Sequence, residues 1–156
     1  MKKRLTLIQM DVHVNDVEYN YNRVQELLSQ SLSENPDIII LPETWNTGFY
    51  PSRELINISD KNGERTKSLL STFAKEHNVN IVGGSVAVAK NDVVFNTSYT
   101  YNRNGELVGE YSKMHGFSPA KEDQYFAGGT HTTHFELDGI PCSTVICYDI
   151  RFPELV

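Results

Sequence analysis

Cysteine is scarce in this chain. Cys142 and Cys147 are the only two, too few for a disulfide-stapled scaffold or a thiolate-rich metal centre. On one strand they would face opposite sides and stand about 16 Å apart, at roughly 3.3 Å per residue. A disulfide tolerates no more than about 7 Å between Cα atoms, so both are expected to be unpaired, as suits a reducing cytoplasm. Positive charge is short as well: 14 Lys and Arg face 20 Asp and Glu, for a net charge of −6, with Lys2-Lys3-Arg4 as the one basic cluster. Such a surface attracts neither nucleic acid nor an anionic membrane. No apolar run approaches the length of a membrane span. Residues 1–10 superficially resemble a signal peptide, but Thr6 and Gln9 interrupt the apolar part and Asp11 ends it, which reads as a first strand. Repeats and low-complexity stretches are missing too. The sequons at Asn57 and Asn96 carry no meaning in a protein that is not exported.

What is present fits one domain over residues 1–156, long enough to bury roughly 70% of the surface of its unfolded chain. Residues 4–12 read as strand. Asn15 and Asp16 can cap a following helix whose Val17, Tyr21, Val24 and Leu28 form one stripe, ending near Asn35-Pro36. Residues 37–41 are continuous and aliphatic, as in a strand covered on both faces. A second helix is expected over residues 64–77. Residues 79–89 read as strand with a bulge or close approach at Gly83-Gly84. Two hairpins follow: residues 93–101 with 106–112, and residues 134–137 with 140–146, the second turning at Asp138-Gly139. This order predicts an α/β fold with helices on a mixed sheet.

Three predicted strands end in chemically useful side chains. Ile38-Ile39-Ile40-Leu41-Pro42 leads to Glu43, Glu110-Tyr111-Ser112 to Lys113, and Ser143-Thr144-Val145-Ile146 to Cys147. A free thiol is little ionised at neutral pH, so a catalytic cysteine needs a proton acceptor or a positive field. Glu43 can accept the proton, Lys113 can supply positive charge both for the thiolate and for an oxyanion, and the backbone N–H of Tyr148 can supply a second oxyanion donor. The constellation suits nucleophilic acyl transfer. Each residue also has a bland reading: a buried strand cysteine, a solvated glutamate, a surface lysine, and for Glu122 an exposed loop charge. His131 and His134, three apart, would face opposite sides of a strand and match no familiar zinc spacing. No metal and no cofactor is expected.

Leu41-Pro42-Glu43, Tyr111-Ser112-Lys113-Met114-His115 and Cys147-Tyr148-Asp149-Ile150-Arg151-Phe152-Pro153-Glu154 resemble, in order, the three signature blocks of the nitrilase superfamily, the carbon–nitrogen hydrolases. The resemblance implies Glu43 as general base, Lys113 as oxyanion stabiliser and Cys147 as nucleophile. It also implies Glu122 as the second active-site glutamate found in many members. Within the superfamily the chain is similar to the omega-amidase branch, through Trp45, Thr47-Gly48-Phe49 and the spacing from Lys113 to Glu122. That branch releases ammonia from monoamides of dicarboxylic acids such as 2-oxoglutaramate. Gly116 departs from the leucine that relatives usually have there.

The resemblance further implies an αββα sandwich, mixed sheets with outer helices, of which this chain holds the N-terminal portion with the Glu-Lys-Cys site and lacks the C-terminal remainder. It is therefore expected to be part of a longer protein or a truncated product. The implied partners are a small amide and water, with a homodimer as the common assembly and the cytoplasm as location. The alternatives are a nitrile or N-carbamoyl hydrolase on the same residues, or a non-catalytic pseudo-hydrolase.

Overall fold

Ile38–Ile40 lies between two parallel neighbours, as an aliphatic strand sheltered on both faces should. In the computed structural model, which describes residues 2–155, it forms β2, flanked by β1 (Leu5–Leu7) and β4 (Asn80–Val82). Beyond β4 the sheet turns antiparallel. There the long β6 (Val93–Tyr101) pairs with β4, with β5 (Val86–Lys90) and with β7 (Leu107–Ser112). A short β3 (Asp60–Lys61) closes the far edge, parallel to β5. The whole is a seven-stranded mixed sheet, ordered β1-β2-β4-β6-β5-β3 with β7 on β6. The first strand is shorter than residues 4–12 because its partner β2 offers only three residues before the chain turns at Pro42.

One face of the sheet carries the helices α1 (Val17–Ser31) and α3 (Glu64–His77). The Asp16 carboxylate accepts from the Tyr19 N–H at 3.1 Å and caps α1 as expected, and α3 spans the predicted residues. Tyr21, Val24 and Leu28 of α1 meet Leu70, Phe73 and Ala74 of α3 over Ile39, Ile81 and Tyr99 in one buried cluster. A one-turn helix α2 (Leu55–Ile58), which no sequence signal announced, buries Leu55 against Ala87 and Val94.

A second sheet consists of β8 (His134–Leu137) and β9 (Ile140–Ser143), turning at Asp138-Gly139 with both residues at positive φ. Phe135 of β8 packs over Gly109 of β7, where a Cβ would come within 2.7 Å of its ring. Arg103 ties the sheets together, bonding Asp138 at 2.8 Å and Asp37, just before β2, at 2.9 Å. The strand expected to run to residue 146 stops at Ser143, so Cys147 lies beyond the strand rather than at its tip. No helix among the described residues is long and apolar enough to cross a membrane.

The irregularity at Gly83-Gly84 is a bulge. Val82 stands opposite Thr100 while Val86 stands opposite Thr97, so residues 83–85 face only residues 98–99. Gly84 takes φ +58°, and a Cβ there would sit 2.0 Å from the Pro42 carbonyl oxygen. The bulge grips the turn after β2: Pro42 O accepts from Ser85 N at 3.0 Å, Ser85 Oγ from Thr44 N at 3.0 Å, and Gly83 O from Trp45 Nε1 at 2.9 Å. Gly84→Ala should therefore cost about 2 kcal/mol or more, from left-handed strain and overpacking together. In urea denaturation the midpoint should fall by roughly 1 M. An unchanged midpoint would show that the bulge does not need glycine.

Candidate active site

Glu43 follows the parallel strand β2, where the chain leaves the sheet. Thr44 is held at φ +44°, an outlier for a β-branched residue, and Trp45 is fully buried against Tyr21, edge to face at 4.8 Å between ring centroids. Losing such a buried aromatic costs about 3–5 kcal/mol, against about 1 kcal/mol for each hydrogen bond of the turn. Packing of Trp45 and the hydrogen bonds of the turn, comparable in total, together set where Glu43 stands.

Lys113 comes directly after β7, and its N–H donates to the Asn96 carbonyl at 2.9 Å. That bond extends the register of Thr97 opposite Ser112 by one pair, so Asn96 and Lys113 are cross-strand neighbours. Lys113 is 3% exposed, and its ammonium lies 2.8 Å from Glu43 Oε1 and 2.9 and 2.8 Å from the two oxygens of Glu122. An ammonium has three donors; all are committed to carboxylates. Glu122, only 2% exposed, also accepts from the Phe117 N–H at 2.8 Å. The loop carrying it is stapled back to the sheet by Ala127 N on Val94 O at 2.8 Å and by Gly129 N on Lys113 O at 2.8 Å. Glu122 is thus no exposed loop charge.

Cys147 opens a single 3-10 turn (Cys147–Arg151), is exposed, and has φ +48°. The Asp149 carboxylate closes this elbow. It is fully buried and accepts from Ile146 N at 3.2 Å, Tyr111 OH at 2.7 Å, and both the backbone N–H and ring Nδ1 of His115 at 3.0 Å. His115 also stacks on Phe152, with 3.5 Å between centroids. The turn that carries Cys147 is therefore fastened to β7 and to the segment just past Lys113. These bonds also explain why β9 ends early, since residues 144–146 bend into the elbow instead of continuing the ladder. The Tyr148 N–H has no backbone acceptor among the described residues.

Backbone strain is concentrated here. Ten non-glycine residues among those described have positive φ; seven are Asn or Asp, which tolerate it. The other three are Thr44, Lys121 and Cys147: one beside Glu43, one beside Glu122, and the thiol itself. Each costs on the order of 1–3 kcal/mol, a cost usually met at functional sites.

The electrostatics follow from the contacts. Burial opposes the charge of Lys113, but the carboxylates of Glu122 and Glu43 outweigh it and hold the ammonium's pKa above its ordinary value. Burial pushes the Cys147 thiol up, the Glu43 carboxylate adds to the rise, Lys113 offsets part of it, and Glu122 adds a little more. Of these groups only the Lys113 ammonium favours the thiolate. Burial first, and then the two carboxylates, outweigh the ammonium and favour the thiol over the thiolate.

A cavity of about 170 Å³ opens beside the cluster, lined by Asn96, Lys113, Met114, Gly116, Glu122 and Phe126 among others. Gly116, with the site of a missing Cβ 3.1 Å from Asp123 N, lets the loop after Lys113 close on the Glu122 turn. Larger grooves of about 340 and 520 Å³ lie elsewhere and touch none of Glu43, Lys113, Glu122 or Cys147. Sequence reasoning assigned no role to Asn96 or Asp149. A strand asparagine opposite the signature lysine was the available signal for Asn96; Asp149 lay inside the cysteine block, but its partners are distant in sequence.

Residues 4–156 match the family described as Carbon-nitrogen hydrolase. The chain is 38% identical, over its full length, to the 2-oxoglutaramate amidase of Bacillus subtilis, and 27% identical over 99% of its length to an omega-amidase of Saccharomyces cerevisiae. It spans 60% and 58% of those two proteins. The crystal structure of a CN-hydrolase superfamily protein from Xanthomonas campestris, which has an arsenic adduct in its active site, superposes with a TM-score of 0.86 at 30% identity. That likeness covers 97% of this chain and 56% of the other.

Neutralising Glu43 should release the thiol from a nearby negative charge. In Glu43→Gln the pH profile of Cys147 alkylation by iodoacetamide, followed by peptide mass spectrometry, should move to lower pH. A profile that stays in place or moves upward would mean that the Glu43 carboxylate does not act on Cys147.

Proposed function

Because the chain belongs to the carbon–nitrogen hydrolase family, we propose that residues 1–156 form the N-terminal portion of a hydrolase domain carrying the catalytic residues of an amidase. The substrate class is the monoamides of short dicarboxylic acids, 2-oxoglutaramate among them. The observation that carries this reading is the Lys113 ammonium, buried with all its donors on Glu43 and Glu122, next to an exposed Cys147 whose thiol responds to all three charges. The 38% identity to a 2-oxoglutaramate amidase supports the substrate class. Two unpaired cysteines support a reducing, cytoplasmic setting, and a homodimer is the assembly the reading includes.

The chemistry proceeds by a thioester. Cys147 Sγ attacks the amide carbon as its proton passes to Glu43. The carbonyl electrons move onto oxygen, where the Lys113 ammonium and the Tyr148 N–H receive the new charge. Protonated Glu43 is neutral, so its hold on Lys113 weakens as the oxyanion forms, and the ammonium is redirected to where charge is developing. Collapse breaks the C–N bond, and ammonia departs with the proton from Glu43. Water then attacks the thioester carbon, gives a proton to Glu43 and releases the carboxylic acid as Cys147 regains its hydrogen. Glu122 stays charged throughout and keeps the ammonium in place. Each turnover consumes one amide and one water.

Ammonia release from 2-oxoglutaramate and succinamate tests this, measured on this chain and on any longer gene product containing it, with a nitrile and an N-carbamoyl compound as controls. Cys147→Ala should reduce release to background. Glu43→Gln should cost about 10²–10⁴-fold and Lys113→Met about 10²–10³-fold. Undiminished release by Cys147→Ala, or turnover of the nitrile with both amides inert, would overturn the proposal.

A further inference from the structure

We propose that Asn96 is a positioning residue that selects which oxygen of Glu43 takes the Cys147 proton. The inference rests on the amidase reading above and goes beyond it to a residue outside the three signature blocks. Asn96 is 1% exposed, on β6 directly across from Lys113. Its Nδ2 carries two hydrogens and meets two different carboxylates: Glu43 Oε1 at 3.0 Å and Glu122 Oε1 at 3.1 Å. Lys113 Nζ donates to the same two oxygens, at 2.8 and 2.9 Å. Glu43 Oε1 therefore has two donors, one charged and one neutral. Glu43 Oε2 has no partner among the described residues, and the Glu43 side chain keeps 20% of its surface open. One oxygen is tied down; the other is left for the thiol.

The amide orientation follows from the chemistry. Turning the group over would aim Oδ1 at two carboxylate oxygens, with no hydrogen between them. In the orientation seen, Oδ1 is buried without any partner. An orphaned buried acceptor is unfavourable, and such groups in folded proteins call for an explanation. Here the explanation is that both N–H groups are committed to the carboxylates. With one ammonium and two carboxylates the cluster has an excess negative charge, and the amide N–H groups disperse part of it while keeping Glu43 from turning. This burial also removes Asn96 as a glycosylation acceptor, whatever the Asn96-Thr97-Ser98 sequence suggests.

The test combines turnover with thiol reactivity, because the second does not depend on the amidase reading. In Asn96→Ala, kcat for 2-oxoglutaramate should fall about tenfold or more while KM stays within about twofold, the pattern of a lost transition-state interaction. Asn96→Ser keeps one donor on a shorter side chain and should recover part of the loss, which also guards against a variant that folds poorly. Iodoacetamide alkylation of Cys147 at pH 8 should slow about threefold in Asn96→Ala, since the undispersed carboxylates then oppose the thiolate more strongly. In a Glu43→Gln background the same substitution should change the rate by less than half as much. Should wild type release no ammonia from any amide, the amidase reading fails, yet the alkylation cycle still decides the role of Asn96. Wild-type kcat in Asn96→Ala, or an equal alkylation effect with and without the Glu43 carboxylate, overturns the proposal.

Discussion

One ammonium held between two carboxylates organises this molecule's chemistry. Lys113, Glu43 and Glu122 meet within 2.9 Å, and two of the three are almost completely buried. Taking charges out of water costs several kcal/mol per ion even after pairing, and apolar residues of similar size often do as well or better for stability. The cluster is poorly explained as a fold stabiliser. It is well explained as a preset charge balance: an excess negative charge while Glu43 is ionised, and neutrality once Glu43 takes a proton. In the proposed mechanism the negative charge that Glu43 loses on taking the thiol proton reappears on the oxyanion, within reach of the same ammonium.

Holding that balance demands rigid supports, and the fold supplies one for each group. The bulge at residues 83–85 and the buried Trp45 fix the turn that carries Glu43. The β6–β7 register fixes Lys113 against Asn96. Asp149 fixes the cysteine elbow to Tyr111 and His115, hence to the strand and loop on either side of Lys113. Strained backbone at Thr44, Lys121 and Cys147 is tolerated because these supports over-determine it. Trp45, one of the features suggesting the omega-amidase branch, acts here as a core side chain and does not line the cavity beside Lys113 and Glu122.

Much of this was legible in the residues. The run Ile38–Ile40, the α3 boundaries, the Gly83-Gly84 bulge and the Asp138-Gly139 hairpin all followed from local patterns whose physical causes act over a few positions. What stayed hidden depends on distant partners. Residues 144–146 are as strand-like as any in the chain, yet bonds from Asp149 to Ile146, Tyr111 and His115 bend them out of the ladder. Asn96 is an ordinary polar strand residue until the hairpin places it across from Lys113. Glu43 as proton acceptor and Lys113 as positive charge were legible for the thiol, but its burial and the second carboxylate, Glu122, were not, and with them the thiol is pushed up.

The part played by the ammonium is best read by removing its charge and leaving both carboxylates in place. In Lys113→Met the alkylation profile of Cys147 should move to higher pH, because the one group that favours the thiolate is gone while Glu43 and Glu122 remain. A profile that does not move, or that moves to lower pH, would mean that the thiol is not governed by this cluster.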